Sequence, residues 1–335
     1  PGHEAPASAD APPAVAQDDP LAAQQAIDTC RTLSDAQRRL ICYDAIPGAS
    51  VAGGPALTDE ESAEEPAIPL RRSRMTREWE LDDATDGGEF RVRSYRPVYA
   101  LPLRYTTDRN RRPLAGGVDV LEPEPTSLDS VEVKFQVSLK TKLFDDPIAN
   151  NGDLWFGYTQ QSNWQAYNTI ESEPFRETNY APEIWSTWRT GLSFGGWTWR
   201  FVNLGFVHQS NGRSEPRSRS WNRVYANFGF ERGPWQVYVR PWVRVEEGSG
   251  DDNPDIEDYF GHGDLRVRWH RGSHDFEVMA RAVPGERRGA VQFDWHYPLF
   301  GDLKAYLQLF HGYGETLIDY NHRQSTIGIG VSLVQ

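Results

Sequence analysis

No stretch of this 335-residue sequence reaches the roughly 18 to 20 consecutive apolar residues that a membrane helix requires, so a helical membrane protein is excluded. That absence leaves a membrane β-barrel open, because its strands alternate lipid-facing and lumen-facing residues and read as polar on average. Positive charge is also short: 35 Lys and Arg stand against 48 Asp and Glu, a net charge of −13 that argues against a nucleic-acid partner. Cysteine is scarce, with only Cys30 and Cys42, both in the stretch CRTLSDAQRRLICYDAI. No histidine or further cysteine accompanies them, which argues against zinc. The expectation is a disulfide and therefore an oxidising compartment such as a periplasm, with two buried thiols on a short helix as the alternative. The sequence opens at Pro1 without a charged n-region or an apolar h-region, as expected of a mature secreted chain whose signal peptide has been removed.

Charge and aromatic mass are unevenly placed. Residues 1–90 hold 18 acidic and 7 basic side chains but only one tryptophan, Trp79, while the other eleven tryptophans lie beyond them. Residues 1–29 and 44–69 are rich in Ala and Pro, cannot bury a core, and read as disordered linkers. Between them Ile27, Leu33, Leu40, Ile41 and Tyr43 suit a short helical module bracketed by the cysteines. The expected organisation is an N-terminal arm over 1–90 and a strand-rich body over 91–335.

In that body the hydrophobic period is two. Val131, Val133, Phe135, Val137 and Leu139 alternate with Glu132, Lys134, Gln136 and Ser138, and the run from Trp235 to Val245 repeats the pattern. About twelve such segments follow one another, several near the 9 to 11 residues that a tilted strand needs to cross a bilayer. Short turns such as Gly195–Gly196 alternate with long polar loops such as Gln209–Ser220 and Glu246–Tyr259. A soluble β-sandwich or lipocalin-like barrel would also carry one apolar strand face. Here, however, Arg, Lys, Glu and His occupy the other face at mid-strand, and aromatics flank the apolar one. The expected fold is an all-β, twelve-stranded antiparallel transmembrane β-barrel.

One pair of segments carries chemistry. In WTWRFVNLGFVHQS, His208 and Ser210 continue the outward stripe of Val202, Leu204 and Phe206, and in SWNRVYANFGF, Asn222 heads a second such stripe. Paired as a hairpin, the two segments set Asn222 beside His208. A serine nucleophile needs a base within reach, and the base needs a third group to hold its tautomer, so the trio has the logic of nucleophilic acyl transfer. Three interfacial polar side chains without chemistry are the alternative on spacing alone.

The stretch HQSNGRSEPRSRSWNRVY resembles the active-site segment of the outer membrane phospholipase A family. YTQQSNWQAYNTIESEPFRETNYAPEIW, DDNPDIEDY and GYGETLIDYNHRQ resemble family stretches in the same order, so the likeness covers roughly residues 91–335. It implies a bacterial outer membrane barrel with a periplasmic N-terminal arm. The implied enzyme hydrolyses glycerophospholipid acyl esters at both the A1 and A2 positions, and lysophospholipids, with calcium and as a homodimer. It assigns Ser210 as nucleophile, His208 as general base and Asn222 as its orienter. Calcium ligands would be the carbonyl of Arg213, the hydroxyl of Ser218 and Ser172 from the partner subunit, all oxygen donors as a hard cation prefers. Glu215 stands where the family commonly has Asp; the position makes it a further candidate ligand, while its longer stem would carry the carboxylate away from the ion, with a solvated loop charge as the alternative. Gln160, in the outward stripe of Leu154, Phe156 and Tyr158, is implied to pair across the dimer interface. The competing reading is a catalytically silent structural or adhesive barrel that acts through its arm. The chain ends at Gln335, where such barrels usually end on an aromatic residue.

Overall fold

The computed structural model describes residues 28–30, 32, 73–113, 127–148 and 151–333. The chain divides into two compact units, Pro1–Ile68 and Pro69–Gln335. In the first, residues 28–30 are helical and Cys30 is buried. Cys42, and with it the expected bridge, lies outside the described residues, as do the two expected linkers over 1–29 and 44–69 apart from residues 28 and 29.

The second unit is the barrel. Helix α1 (Arg74–Trp79) and a two-residue strand β1 (Arg93–Ser94) precede twelve long strands. These are β2 (Val98–Thr106), β3 (Val131–Ile148), β4 (Gly152–Trp164), β5 (Phe175–Phe194), β6 (Trp197–Ser210), β7 (Ser220–Arg232), β8 (Trp235–Val245), β9 (Gly263–Arg271), β10 (His274–Ala282), β11 (Gly289–Phe300), β12 (Leu303–Tyr313) and β13 (Arg323–Leu333). Each pairs antiparallel with its sequence neighbour, and β13 pairs back onto β2, so the twelve close without an edge. Closure satisfies every ladder within the wall, which is what hydrocarbon demands of a spanning sheet. At one end the connections are two residues long, as at 195–196, 233–234, 272–273 and 301–302; at the other they are longer, as at 165–174, 211–219, 246–262 and 314–322. Strand β2 is irregular on both sides: its ladder with β13 shifts register between Ile329 and Val331, around Gly330, and its ladder with β3 shifts between Leu101 and Arg104, around Pro102. Pro102 cannot donate to a ladder, and a side chain at Gly330 would strike the Ala100 carbonyl, so this irregularity is written into two residues.

The wall is apolar outside and charged inside. Val243 is 72% exposed, and Leu204, Val224 and Ile329 are more than half exposed, whereas Lys140 and Lys142 are at most 1% exposed. In water that arrangement would be an aggregation hazard; in a bilayer it is the required polarity. The lumen is filled by ion pairs. Arg104 joins Glu132 at 2.7 Å and also meets Glu315, while Lys134 reaches Glu315 at 3.0 Å. Arg176 bridges Glu132 at 2.9 Å and Asp319 at 2.7 Å. Glu315 and Asp319 belong to the loop 314–322, which therefore folds into the lumen. Burial pushes the Glu315 carboxyl up, but Arg104 and Lys134 outweigh it and hold the group below the usual carboxylate range.

The expected border at residue 90 is too late, since the compact unit begins at Pro69. Trp79 is 4% exposed, with its ring centroid 4.6 Å from Phe201 and 4.4 Å from the Lys140 ammonium. Glu78 pairs with Arg268 at 2.9 Å, Glu80 meets Arg93, and Asp86 accepts from Lys142 at 2.7 Å. Acidic residues that read as arm charge are thus the counter-ions of lumenal cations. In sequence they read as part of the arm because their partners sit on strands further along the chain.

Candidate active site

The hairpin β6–β7 builds the site. Phe201, Asn203 and Val207 are buried toward the lumen, so Val202, Leu204, Phe206, His208 and Ser210 project outward. On β7 the buried Trp221, Arg223 and Tyr225 alternate with the outward Ser220, Asn222 and Val224. Register sets His208 directly opposite Asn222 and Ser210 opposite Ser220. His208 Nδ1 and Asn222 Oδ1 are 2.9 Å apart. An amide oxygen can only accept, so this contact places the proton on Nδ1 and leaves the Nε2 lone pair free to take one from a hydroxyl. Ser210 stands two residues further along the same face, at the long-loop end of the barrel.

The hairpin is braced from inside. Gln209 Oε1 accepts from Trp221 Nε1 at 3.0 Å and from Arg223 at 2.9 Å, and the Arg223 guanidinium lies 3.8 Å over the Trp221 ring. These contacts hold the backbone that carries His208, Ser210 and Asn222.

The loop 211–219 is organised by the buried Asn211. Its Nδ2 donates to the Arg217 carbonyl at 2.8 Å, and its Oδ1 accepts from the Arg219 amide at 3.0 Å and the Arg213 amide at 3.3 Å. Gly212 has φ +63°, a left-handed conformation that suits glycine. Among the expected calcium residues, Ser218 Oγ donates to Asp252 Oδ2 at 2.5 Å, and the Arg213 side chain is occupied by Glu177 at 3.3 Å and by the Phe175 carbonyl at 3.1 Å. Glu215 is exposed, and the carboxylate that meets Ser218 is that of Asp252 instead. Ser172 lies in the separate loop 165–174 with φ 60°, exposed, followed by Glu173 at φ 56°. That loop is pinned where Trp164 Nε1 donates to the Glu173 carbonyl at 2.9 Å. Gln160 is on the outward face of β4, as its stripe predicts, within 3.1 Å of the Tyr158 hydroxyl.

Besides Asp252, two residues near the site have no role from sequence reasoning. Asn253 Oδ1 accepts from the Ser220 amide at 2.9 Å, and Glu247 Oε1 accepts from Asn222 Nδ2 at 2.7 Å. Both belong to the loop 246–262, which lies over the hairpin. The stretch DDNPDIEDY marked this loop, but nothing in its spacing told which strand end it covers.

Comparison with known proteins places this geometry. The chain matches the Phospholipase A1 family over residues 75–333. It is 44% identical over 202 residues to the phospholipase A1 of Escherichia coli K12, spanning 60% of this chain and 69% of that protein. The structure of outer membrane phospholipase A from Escherichia coli superposes with a TM-score of 0.67 at 38% identity, over 73% of this chain and 94% of that one. A Salmonella typhi outer membrane phospholipase dimer with bound calcium gives a TM-score of 0.68 at 37% identity, over 75% of this chain and 94% of that one. With the closed twelve-stranded wall and a match that begins inside α1 and runs through β13, this chain belongs to the outer membrane phospholipase A family and is a phospholipase of the bacterial outer membrane.

Proposed function

We propose that this chain hydrolyses acyl esters of membrane glycerophospholipids, at the A1 and A2 positions and in lysophospholipids, as a calcium-dependent homodimer. Ser210 is the nucleophile, His208 the base and Asn222 the group that holds it. The observation that carries this reading is the 2.9 Å contact between His208 Nδ1 and Asn222 Oδ1 on the bilayer-facing wall, with Ser210 on the same stripe. A lipid ester that stays in the membrane can reach such a site without leaving the bilayer.

In the proposed cycle Ser210 Oγ attacks the ester carbonyl while its proton passes to His208 Nε2. His208 then returns that proton to the departing alcohol oxygen. In the second half His208 takes a proton from water, the resulting hydroxide attacks the acyl-serine, and the fatty acid leaves as Ser210 recovers its proton. Throughout, Asn222 keeps the imidazole in the tautomer whose Nε2 can accept.

The donor set near the site fits calcium, which prefers oxygen ligands. The Ser218 hydroxyl and the Asp252 carboxylate already meet, and the Arg213 carbonyl belongs to the same loop. These groups would hold the ion, with Ser172 of a second copy and Glu215 as further candidates. When bound, calcium supplies positive charge to stabilise the oxyanion. Gln160 supports a dimer, because an amide on a lipid-facing stripe is costly unless it finds a partner. The arm is assigned to the periplasm, with a Cys30–Cys42 bridge. The test is release of fatty acid from detergent-dispersed phospholipid, with calcium and then with a chelator. Turnover only with calcium supports the reading; equal turnover in both, or none, overturns it.

A further inference from the structure

Resting on the Ser210–His208–Asn222 reading, we infer that Glu247 is a positioning residue that gives this uncharged triad both its orientation and its negative charge.

The geometry is specific at both carboxylate oxygens. Glu247 Oε1 accepts from Asn222 Nδ2 at 2.7 Å, and Oε2 accepts from Ser220 Oγ at 3.2 Å. Ser220 and Asn222 are the two outward residues of β7 that face Ser210 and His208. Glu247 is half-buried at the start of the loop 246–262 and is followed by Gly248 at φ +67°, which turns the chain away from the end of β8.

The consequence follows from donor and acceptor counting. An amide side chain has two nearly isosteric ends, so by itself Asn222 could present either oxygen or nitrogen to His208. A carboxylate accepts only, and Glu247 therefore demands the NH2 end of Asn222. The oxygen is then forced toward Nδ1, Nδ1 must carry the proton, and Nε2 is left as the acceptor that the Ser210 hydroxyl requires. Without this carboxylate the amide can flip and stabilise the opposite tautomer, in which Nε2 is protonated and cannot act as a base. A second effect has the same sign. The bond from Asn222 to an anion polarises the amide and strengthens its oxygen as an acceptor, so the charge that forms on the imidazole in the transition state is stabilised through one intervening residue. Glu247 touches neither substrate nor reacting atom, and its whole influence passes through Asn222.

That routing makes the test a double-mutant cycle on the full-length enzyme, with diacyl phosphatidylcholine in detergent micelles at saturating calcium. E247Q keeps the size of the side chain, removes the charge and permits the flip, so kcat should fall by roughly tenfold, the scale of one charge-assisted hydrogen bond, with KM unchanged. In an N222A background the same substitution should cost nothing further, because the residue through which it acts is gone. E247A gives a second reading of the same cycle, and E246Q, at the exposed neighbouring carboxylate, should leave kcat at the parent value. The inference is overturned if E247Q turns over at the parent rate, if it costs the same factor with and without Asn222, or if E246Q loses as much as E247Q. An N222A enzyme at full rate would overturn the triad reading itself, which is a separate outcome.

Discussion

Removing the N-terminal segment in two steps should separate what is attached to the barrel from what is part of it. Deletion of residues 1–68 leaves the second compact unit whole, and the barrel should unfold at the parent denaturant midpoint. Deletion of residues 1–85 removes α1 and with it Trp79, whose buried ring lies 4.6 Å from that of Phe201 and 6.2 Å from that of Trp185, with the Lys140 ammonium against it. Truncating a buried tryptophan to alanine costs about 3–5 kcal/mol. The longer deletion also strips Glu78 from Arg268 and Glu80 from Lys142 and Arg93. Water entering the lumen offsets part of that ionic loss, so the aromatic contribution sets the scale, and Trp79→Ala alone should reproduce most of the effect. Guanidinium unfolding of the barrel in detergent, followed by tryptophan fluorescence, gives the stability difference directly. If the 1–85 deletion were as stable as the full chain, α1 would be an occupant of the lumen and not a structural part of it.

Other consequences are equally direct. Glu315→Ala should destabilise the barrel by about 3–5 kcal/mol in the same unfolding assay, because it leaves Arg104 and Lys134 as buried cations that have lost a partner. His208→Ala should lower kcat by roughly a thousandfold, within the range typical of losing a general base, and Asn222→Ala by less, since water can partly replace an uncharged orienter but not the base. Sedimentation in detergent should show calcium together with an acyl ligand shifting monomer to dimer, and activity per molecule should fall on dilution to monomer; constant activity would exclude a site shared between subunits.

The wall of this protein was legible because a strand in a bilayer has a strict period of two and opposite polarity on its two faces. Leu204 and His208 lie on the same side for the same reason that Val131 and Val133 do, and register then sets Asn222 opposite His208 with no need for tertiary detail. What the pattern could not convey lies in the loops and the lumen. Glu247, Asp252 and Asn253 reach the site from the connection after β8, and no periodicity links that connection to the β6–β7 hairpin. Glu78, Glu80 and Asp86 read as arm charge because their cations sit on β1, β3 and β9, on strands that the sequence pattern does not link to the arm. Glu315 likewise reads as a polar loop residue until the loop 314–322 is seen folded inward onto Arg104.

The most direct test of the account is Ser210→Ala, measured as fatty-acid release from phospholipid micelles with calcium, alongside the parent. A serine at the outer rim contributes little packing, so the variant should keep its folded mobility on unheated gels and dimerise with calcium as the parent is proposed to do, while turnover drops to the level of a chelated sample. A folded Ser210→Ala enzyme that retained most of the parent activity would contradict the assignment of the nucleophile and the triad built around it.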